Sequence, residues 1–443
     1  MPSDRHRPGR TQAHPVSGAG ASRTSRQPGL QLAAIAAVVI LVALTMLGIN
    51  PLELGRGAAG EEPGAGGSGA AAPGSTGGAG TPGPPPIPGH EVYGFVPYWE
   101  MDGGIAAHLA DTRLTTLALF SVTHHSSGRL STGQNGYKRI TGDIGRRVLR
   151  AAQERGTRVE LVYTSFGEAK NRAFYDNPKA QARWIEELVE LVAEEGFDGV
   201  NVDVESLPAD LVPAYGAWVG RLRGALLERL PEARVSVATQ ANQRGAAMAA
   251  VAVAAGADRV FLMGYDYHWP GSQPGASAPI ERIDGEERDL VWSLDRYAAL
   301  GVPAERTILG LPLYGVTWPV SGPGLGAPAL GRGDTWVPRL NLRIFEDESF
   351  EPTYDSTESV EFYAVPADGV DPDDPPTIDP DADPGDAPWT AVYFDSPRSL
   401  APKLGLANAR GLAGAGFWAI GYERGLPAYT ELINAFRAGE VVE

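Results

Sequence analysis

Eight short apolar runs recur between residues 92 and 420, separated by stretches of helical periodicity. They read "VYGFVP" (92–97), "LTTLALFS" (114–121), "RVELVY" (158–163), "GVNVDV" (199–204), "RVSVAT" (234–239), "RVFLMGY" (259–265), "TILGLPL" (307–313) and "AGFWAI" (415–420). Between them lie segments such as "PKAQARWIEELVELVAEEG" (178–196), whose apolar residues return at helical spacing. A strand that is apolar on both faces must be buried on both, as happens in a parallel sheet covered by its crossover helices. Eight such units over about 350 residues predict an α/β fold, a (β/α)8 TIM barrel. An open doubly wound sheet is the alternative, but "VPYWEMDGG" after the first strand lacks the glycine-rich phosphate turn such sheets favour.

The N-terminal part cannot belong to that barrel. Residues 30–50 carry no charge, and the run from Leu32 to Ile49 is 18 residues long. As a helix it spans roughly 27 Å, close to the ~30 Å hydrocarbon thickness of a bilayer. Five arginines against one aspartate precede it in residues 1–29. The expected topology is a basic cytoplasmic tail (1–29), a single transmembrane signal anchor (30–50) and an extracytoplasmic remainder at the cell membrane. A cleaved signal peptide, releasing a secreted protein, is the alternative. Residues 51–90 are rich in Gly, Pro and Ala and predict a disordered linker, leaving 91–437 for the folded domain.

Composition excludes several classes. The chain has no cysteine, so disulfides, thiolate metal sites and a thiol nucleophile are absent. Its net charge of −17, against the basic tail, makes nucleic acid an unexpected partner. An insertion, 319–390, separates the seventh and eighth strands and ends in a proline-rich segment with eight aspartates from Asp368 to Asp386. That segment reads as a solvated acidic loop; a calcium site is the sharper alternative, weakened by its prolines. His124 and His125 read as loop residues, and no metal or cofactor is expected.

The fourth run breaks its own apolarity. In "FDGVNVDVESLP" (197–208), Asn201, Asp203 and Glu205 occupy alternate positions and share one face of the strand. Barrel enzymes carry their chemistry at the carboxyl ends of the strands, where Asp203 and Glu205 fall. Two neighbouring buried carboxylates couple, so one keeps a proton near neutrality, and Glu205 at the strand end is the natural general acid. The same residues admit a structural role in turns, packing and helix capping.

"DGVNVDVE" resembles the DGxDxDxE signature of family-18 glycoside hydrolases, the chitinase-like group. "MGYDY" (263–267), beginning at Met263, resembles the family's sixth-strand M-x-Y-D motif. "GLPLYG" (310–315) is similar to its seventh-strand G-x-P-x-Y-G, and "GFWAIGYE" (416–423) to the eighth-strand segment with a sugar-stacking Trp. The resemblance implies retaining hydrolysis of β-1,4 bonds after N-acetylglucosamine, with the sugar's own 2-acetamido oxygen as nucleophile, an exception to the two-carboxylate scheme. It implies Glu205 as acid and then base, Asp203 as partner of the acetamido N–H, and Tyr265 as donor to the acetamido carbonyl. Asp266 supports the sugar and Trp418 forms its floor. Two residues depart from the pattern: Asn201 stands for the first Asp of the triplet and Val204 for the usual Trp. The Asn form and the loop "YDYHWPGSQPG" (265–275) look like the spore-cortex and peptidoglycan N-acetylglucosaminidase branch. Peptidoglycan is therefore the favoured substrate and chitin the next. A non-catalytic chitinase-like lectin is the alternative. Gln240 and Tyr98 close the fifth and first strands and Tyr314 follows the seventh; they join Asn201 and Met263 as candidate sugar contacts, while Tyr98, Tyr314, Trp99 and Trp269 each also read as packing.

Overall fold

The computed structural model describes residues 90–367, 370 and 387–440. The expected tail, membrane anchor and linker (1–89) and the aspartate-rich segment from 371 to 386 lie outside the described residues. Eight parallel strands close into a barrel: β1 (Glu91–Pro97), β2 (Thr116–Val122), β3 (Arg158–Phe166), β4 (Gly199–Glu205), β5 (Arg234–Gln240), β6 (Arg259–Met263), β7 (Thr307–Pro312) and, last in the chain, β13 (Gly414–Trp418). Each strand pairs with its predecessor, and β13 sits between β7 and β1. The expected barrel is therefore the observed one.

The alternation of side chains divides the core in two. Val200, Val202 and Val204 of β4 face outward into the large cluster shared with the helices, while Tyr93, Phe95, Phe120, Val162, Phe261 and Ile308 fill the barrel interior. Gly310 and Gly416 belong to this interior for a steric reason. A Cβ on either would lie within 2.5 Å of the Phe261 ring, so the two glycines give that ring its place. The helix Pro178–Glu195 illustrates how local chemistry sets the outer layer. Asn177 caps it by accepting the Ala180 N–H at 3.1 Å, proline occupies its first turn, and Gly196 ends it in the left-handed region at φ 81°.

The insertion is folded, and this the sequence did not announce. Strands β8 (Gly315–Val320), β9 (Asp334–Trp336), β10 (Thr353–Asp355), β11 (Val360–Pro366) and β12 (Trp389–Phe394) form a five-stranded antiparallel sheet in the order β10-β11-β12-β8-β9. It extends beyond the expected 319–390 at both ends. The sheet braces the long connection after β6. The Trp318 indole N–H donates to the Ser272 carbonyl at 3.1 Å, and the Glu358 carboxylate accepts the Ala276 and Ile283 N–H groups, each at 3.3 Å. A buried Asp395–Lys403 ion pair secures the return to the barrel. The insertion thus holds one wall of the barrel mouth.

Candidate active site

All seven residues of β4 are buried, so its polar face has no access to bulk water except through the barrel mouth. Glu205, at the strand end, is 1% exposed, and Asp203 is 5% exposed. The Glu205 carboxylate accepts one hydrogen bond, from Gln240 Nε2 at 3.2 Å, and its backbone carbonyl accepts from Asn171 Nδ2 at 2.6 Å. Glu205 Oε1 and Asp203 Oδ1 are buried with no hydrogen-bond partner among the described residues. A carboxylate left so is costly, and the cost falls on its charged form.

The ionisation follows from that. Burial raises the Glu205 pKa far above the usual carboxylate range; the charges of Asp203 and Asp266 raise it further, and the Gln240 donation lowers it. Asp203 is also raised, by burial. Both carboxyls are raised and titrate together, so near neutrality the pair holds a proton. Glu205 has the larger set of raising influences and is the better proton carrier.

β6 ends at Met263, and the chain turns across the mouth. Asp266 sits in the left-handed region at φ 61°, a conformation that costs a non-glycine residue energy and persists where the surroundings hold it. Its N–H donates to Ser277 Oγ at 3.1 Å, and its carboxylate accepts a short hydrogen bond from the Tyr314 hydroxyl. Burial pushes the Asp266 carboxyl up to about 6, with the Tyr314 bond opposing. Tyr265 stands beside Tyr314, ring centroids 6.2 Å apart and nearly edge-on.

Two cavities meet at Glu205. The deeper, about 40 Å³, is walled by Phe95, Phe120, Asp203, Glu205, Ala238, Met263, Tyr265, Asp266, Tyr314 and Trp418. The wider, about 230 Å³, adjoins it over β5 and β6 and shares Glu205, Met263, Tyr265 and Asp266 with it, with Gln240, Asn242, Tyr267, Trp269, Arg282 and Arg288 also on its wall. Phe95 and Phe120 hold the Trp418 indole at 5.6 and 4.8 Å, so a flat ring floors the deeper cavity. An acid on the wall shared by two adjoining pockets is placed to protonate the atom joining their occupants.

Of the residues singled out in the sequence, Glu205, Asp203, Tyr265, Met263, Asp266, Tyr314 and Trp418 meet in the deeper cavity, and Gln240 joins through Glu205. Two lie elsewhere. Tyr98 lines a separate cleft over β1–β3. Asn201, fully buried one layer below Asp203, is outside both cavity walls; its Nδ2 donates to Ser236 Oγ at 2.7 Å. Ser236 and the Tyr93 hydroxyl both donate to Glu160, completing a buried network in the barrel floor. Asn171 and Ser277 support the site but had no signal in the sequence, since each acts through a backbone group of another residue. His124, expected in a loop, packs against Phe174 at 4.3 Å, and burial lowers its pKa to about 4.

Glu160 gives a stability prediction. Burial pushes its carboxyl up to about 7 from 4.5, outweighing the donations of Ser236 and Tyr93. The folded state therefore holds a proton that the unfolded chain releases near pH 4.5. Stability falls as pH rises through this window and levels off above about 7, a loss on the order of 3 kcal/mol from this group. Glu160→Gln, which keeps an acceptor for both hydroxyls, is expected to flatten that decline in urea melts between pH 5 and 8. An equal slope in variant and parent would remove Glu160 as its source.

Comparison with known proteins agrees with this geometry. Residues 93–423 match the model of glycosyl hydrolases family 18. The putative sporulation-specific glycosylase YdhD of Bacillus subtilis (strain 168) is 27% identical over 161 residues, 35% of this chain and 36% of the relative. The cortical fragment-lytic enzyme of the same organism is 25% identical over 266 residues, 59% of this chain and 55% of the relative. The matches thus span between a third and just over half of these relatives' lengths. The crystal structure of a family-18 chitinase from Cycas revoluta in complex with (GlcNAc)3 superposes with a TM-score of 0.63 at 19% identity, covering 78% of this chain and 99% of that one. The chain belongs to family 18 of the glycosyl hydrolases, and the proteins it resembles include chitinases and a cortical fragment-lytic enzyme.

Proposed function

We propose that the chain cleaves β-1,4 linkages on the reducing side of N-acetylglucosamine, in peptidoglycan by preference and in chitin second, with retention and assistance from the substrate's acetamido group. The observation that carries this reading is Glu205: a buried, proton-holding carboxyl on the wall shared by an aromatic-floored pocket and a wider one. The pocket over Trp418 receives the reacting N-acetylglucosamine. Glu205 protonates the glycosidic oxygen as the acetamido carbonyl oxygen attacks the anomeric carbon, forming an oxazolinium ion. It then takes a proton from the water that opens this ion. Asp203 accepts the acetamido N–H and offsets the positive charge that develops there. Tyr265 donates to the acetamido carbonyl oxygen, and Asp266, held by Tyr314, orients the ring. Peptidoglycan is preferred because of the Asn201 form of the motif and the relation to a cortical fragment-lytic enzyme.

Residues 30–50 anchor the chain in the cell membrane in this reading, with the barrel on the extracytoplasmic side at the end of the 51–90 linker. Asn201 favours one rival, a glycan-binding protein without turnover. Incubating the protein with peptidoglycan and, separately, with chitin oligomers, and weighing the products by mass spectrometry, separates these outcomes. Fragments ending in reducing N-acetylglucosamine are expected from peptidoglycan. Binding without fragments after long incubation favours the lectin, and fragments from chitin alone reverse the substrate order.

A further inference from the structure

A third cleft, about 180 Å³, opens over β1–β3, with Tyr98, Thr123, Gln134, Thr164, Phe166 and Lys170 among its walls. It shares no wall residue with the central pocket, but a row of aromatic rings joins the two. Tyr98 meets Trp99 edge-on at 4.9 Å, Phe166 lies 6.4 Å from Phe120, and both Trp99 and Phe120 contact Trp418, at 6.3 and 4.8 Å. The cleft and the wider cavity over β5 and β6 lie on opposite sides of the barrel mouth, since the strand order separates β1–β3 from β5 and β6. A linear glycan with one ring on Trp418 places its two neighbouring sugars in these flanking spaces.

Lys170 is the unusual wall residue. Its ammonium donates to Thr123 Oγ1 at 2.6 Å, and among the described residues no carboxylate lies within ion-pair distance. Arg172, on the same helix, forms a forked pair with Asp210. Burial lowers the Lys170 pKa to about 8, which leaves it a cation at neutrality. A half-buried ammonium with only a hydroxyl as partner gains a charge-assisted hydrogen bond from a carboxylate arriving in the cleft. The opposite flank also carries cations, though neither is both withdrawn from water and unpaired. Arg282 and Arg288 reach the wider cavity's wall; Arg282 is held by Asp284, while Arg288 is exposed and in no ion pair among the described residues.

We propose that the cleft beside Lys170 is a subsite for a carboxylate carried by the sugar next to the reacting N-acetylglucosamine. The substrate class that meets this pattern is a β-1,4 strand in which N-acetylglucosamine alternates with its 3-O-lactyl ether. Such a strand sets a carboxylate-bearing sugar on both sides of the central ring, where the cations lie; chitin sets one on neither. The inference rests on the hydrolase reading above and names the substrate within it. The lactyl carboxylate is free only where no peptide is amide-linked to it, so an amide hydrolysis must precede cleavage of such a strand. On a peptide-bearing strand the carboxylate comes from the stem instead.

The test uses the full chain and three substrates: peptide-free alternating strands, the same strands with their carboxylates converted to methylamides, and stem-bearing strands. The quantity read is the ratio of kcat/KM for free-carboxylate strands to that for methylamide strands. In the parent it is expected to be about tenfold or more in favour of the carboxylate. Lys170→Met is expected to bring it toward unity, and Lys170→Arg to restore most of it. A ratio unchanged in Lys170→Met, or an equal loss on both substrates, overturns the proposal. A Lys170-dependent preference for stem-bearing strands supports it with the stem as the carboxylate source. If the parent turns over none of the strands, the hydrolase reading fails separately. The ratio of dissociation constants for the two peptide-free strands, measured by calorimetry on parent and Lys170→Met, then decides the subsite.

Discussion

Glu205→Gln is expected to lower kcat on N-acetylglucosamine polymers by about 10³-fold or more, near the upper range for loss of a general acid–base group. The proposed mechanism uses this side chain twice, once to protonate the leaving oxygen and once to take a proton from water, and an amide does neither. Its environment is built for the first task. Burial raises the carboxyl, and Asp203 and Asp266 raise it further, so the proton is still present when substrate arrives. The same environment makes the substitution benign for folding. Gln keeps the acceptor that meets Gln240 Nε2 at 3.2 Å and is neutral without having to take up a proton on folding, so thermal stability is expected to hold or rise. Initial rates of reducing-end release, beside circular-dichroism melts, check both parts. A variant that retains parental turnover would falsify the assignment of the acid.

For Asp203→Asn the expected loss in kcat is about 10²–10³-fold, the range found when one preorganised electrostatic partner of a transition state is removed. The reasoning concerns the charge that develops on the acetamido group, for which Asp203 is a buried carboxylate with a free oxygen. This variant also carries a pH signature of definite sign. The Asp203 charge raises the Glu205 pKa, so its removal lowers it, and the alkaline limb of kcat/KM, where Glu205 loses its proton, moves to lower pH. The acid limb that reflects ionisation of Asp203 disappears, leaving Asp266, raised to about 6, as the remaining carboxyl beside the site. Rate profiles from pH 4 to 9 decide the matter: an unshifted alkaline limb would mean that Asp203 and Glu205 do not titrate together.

Much of this site was legible because it is strand-encoded. On β4 the side-chain period alone puts Asn201, Asp203 and Glu205 on one face, and the flanking valines identify the other as the helix-facing one. Tyr265 and Tyr314 follow strand ends and Trp418 closes one, where a parallel barrel gathers its functional residues, so their convergence follows from counting strands. The insertion was not legible. Its strands include three-residue pieces, "DTW" and "TYD", too short for alternation to register, and they are joined by long polar connections. Tyr98 illustrates a subtler limit. Its place after β1 predicts the barrel mouth, but the turn there aims it at the side cleft rather than the central pocket.

Sequence by itself determined the barrel, the order of its strands and the carboxylates that point into it, because these depend on periodicities carried by a few adjacent residues. Only the tertiary structure decided how those carboxylates titrate and what stands around them. Burial and through-space charge at Glu205 come from Asp203 on its own strand, Gln240 on the next and Asp266 beyond another. The wider cavity's wall comes from a connection that the inserted sheet braces, and the side cleft's from a lysine with no ion-pair partner among the described residues. These quantities are sums over neighbours distant in the chain, and no local pattern encodes them.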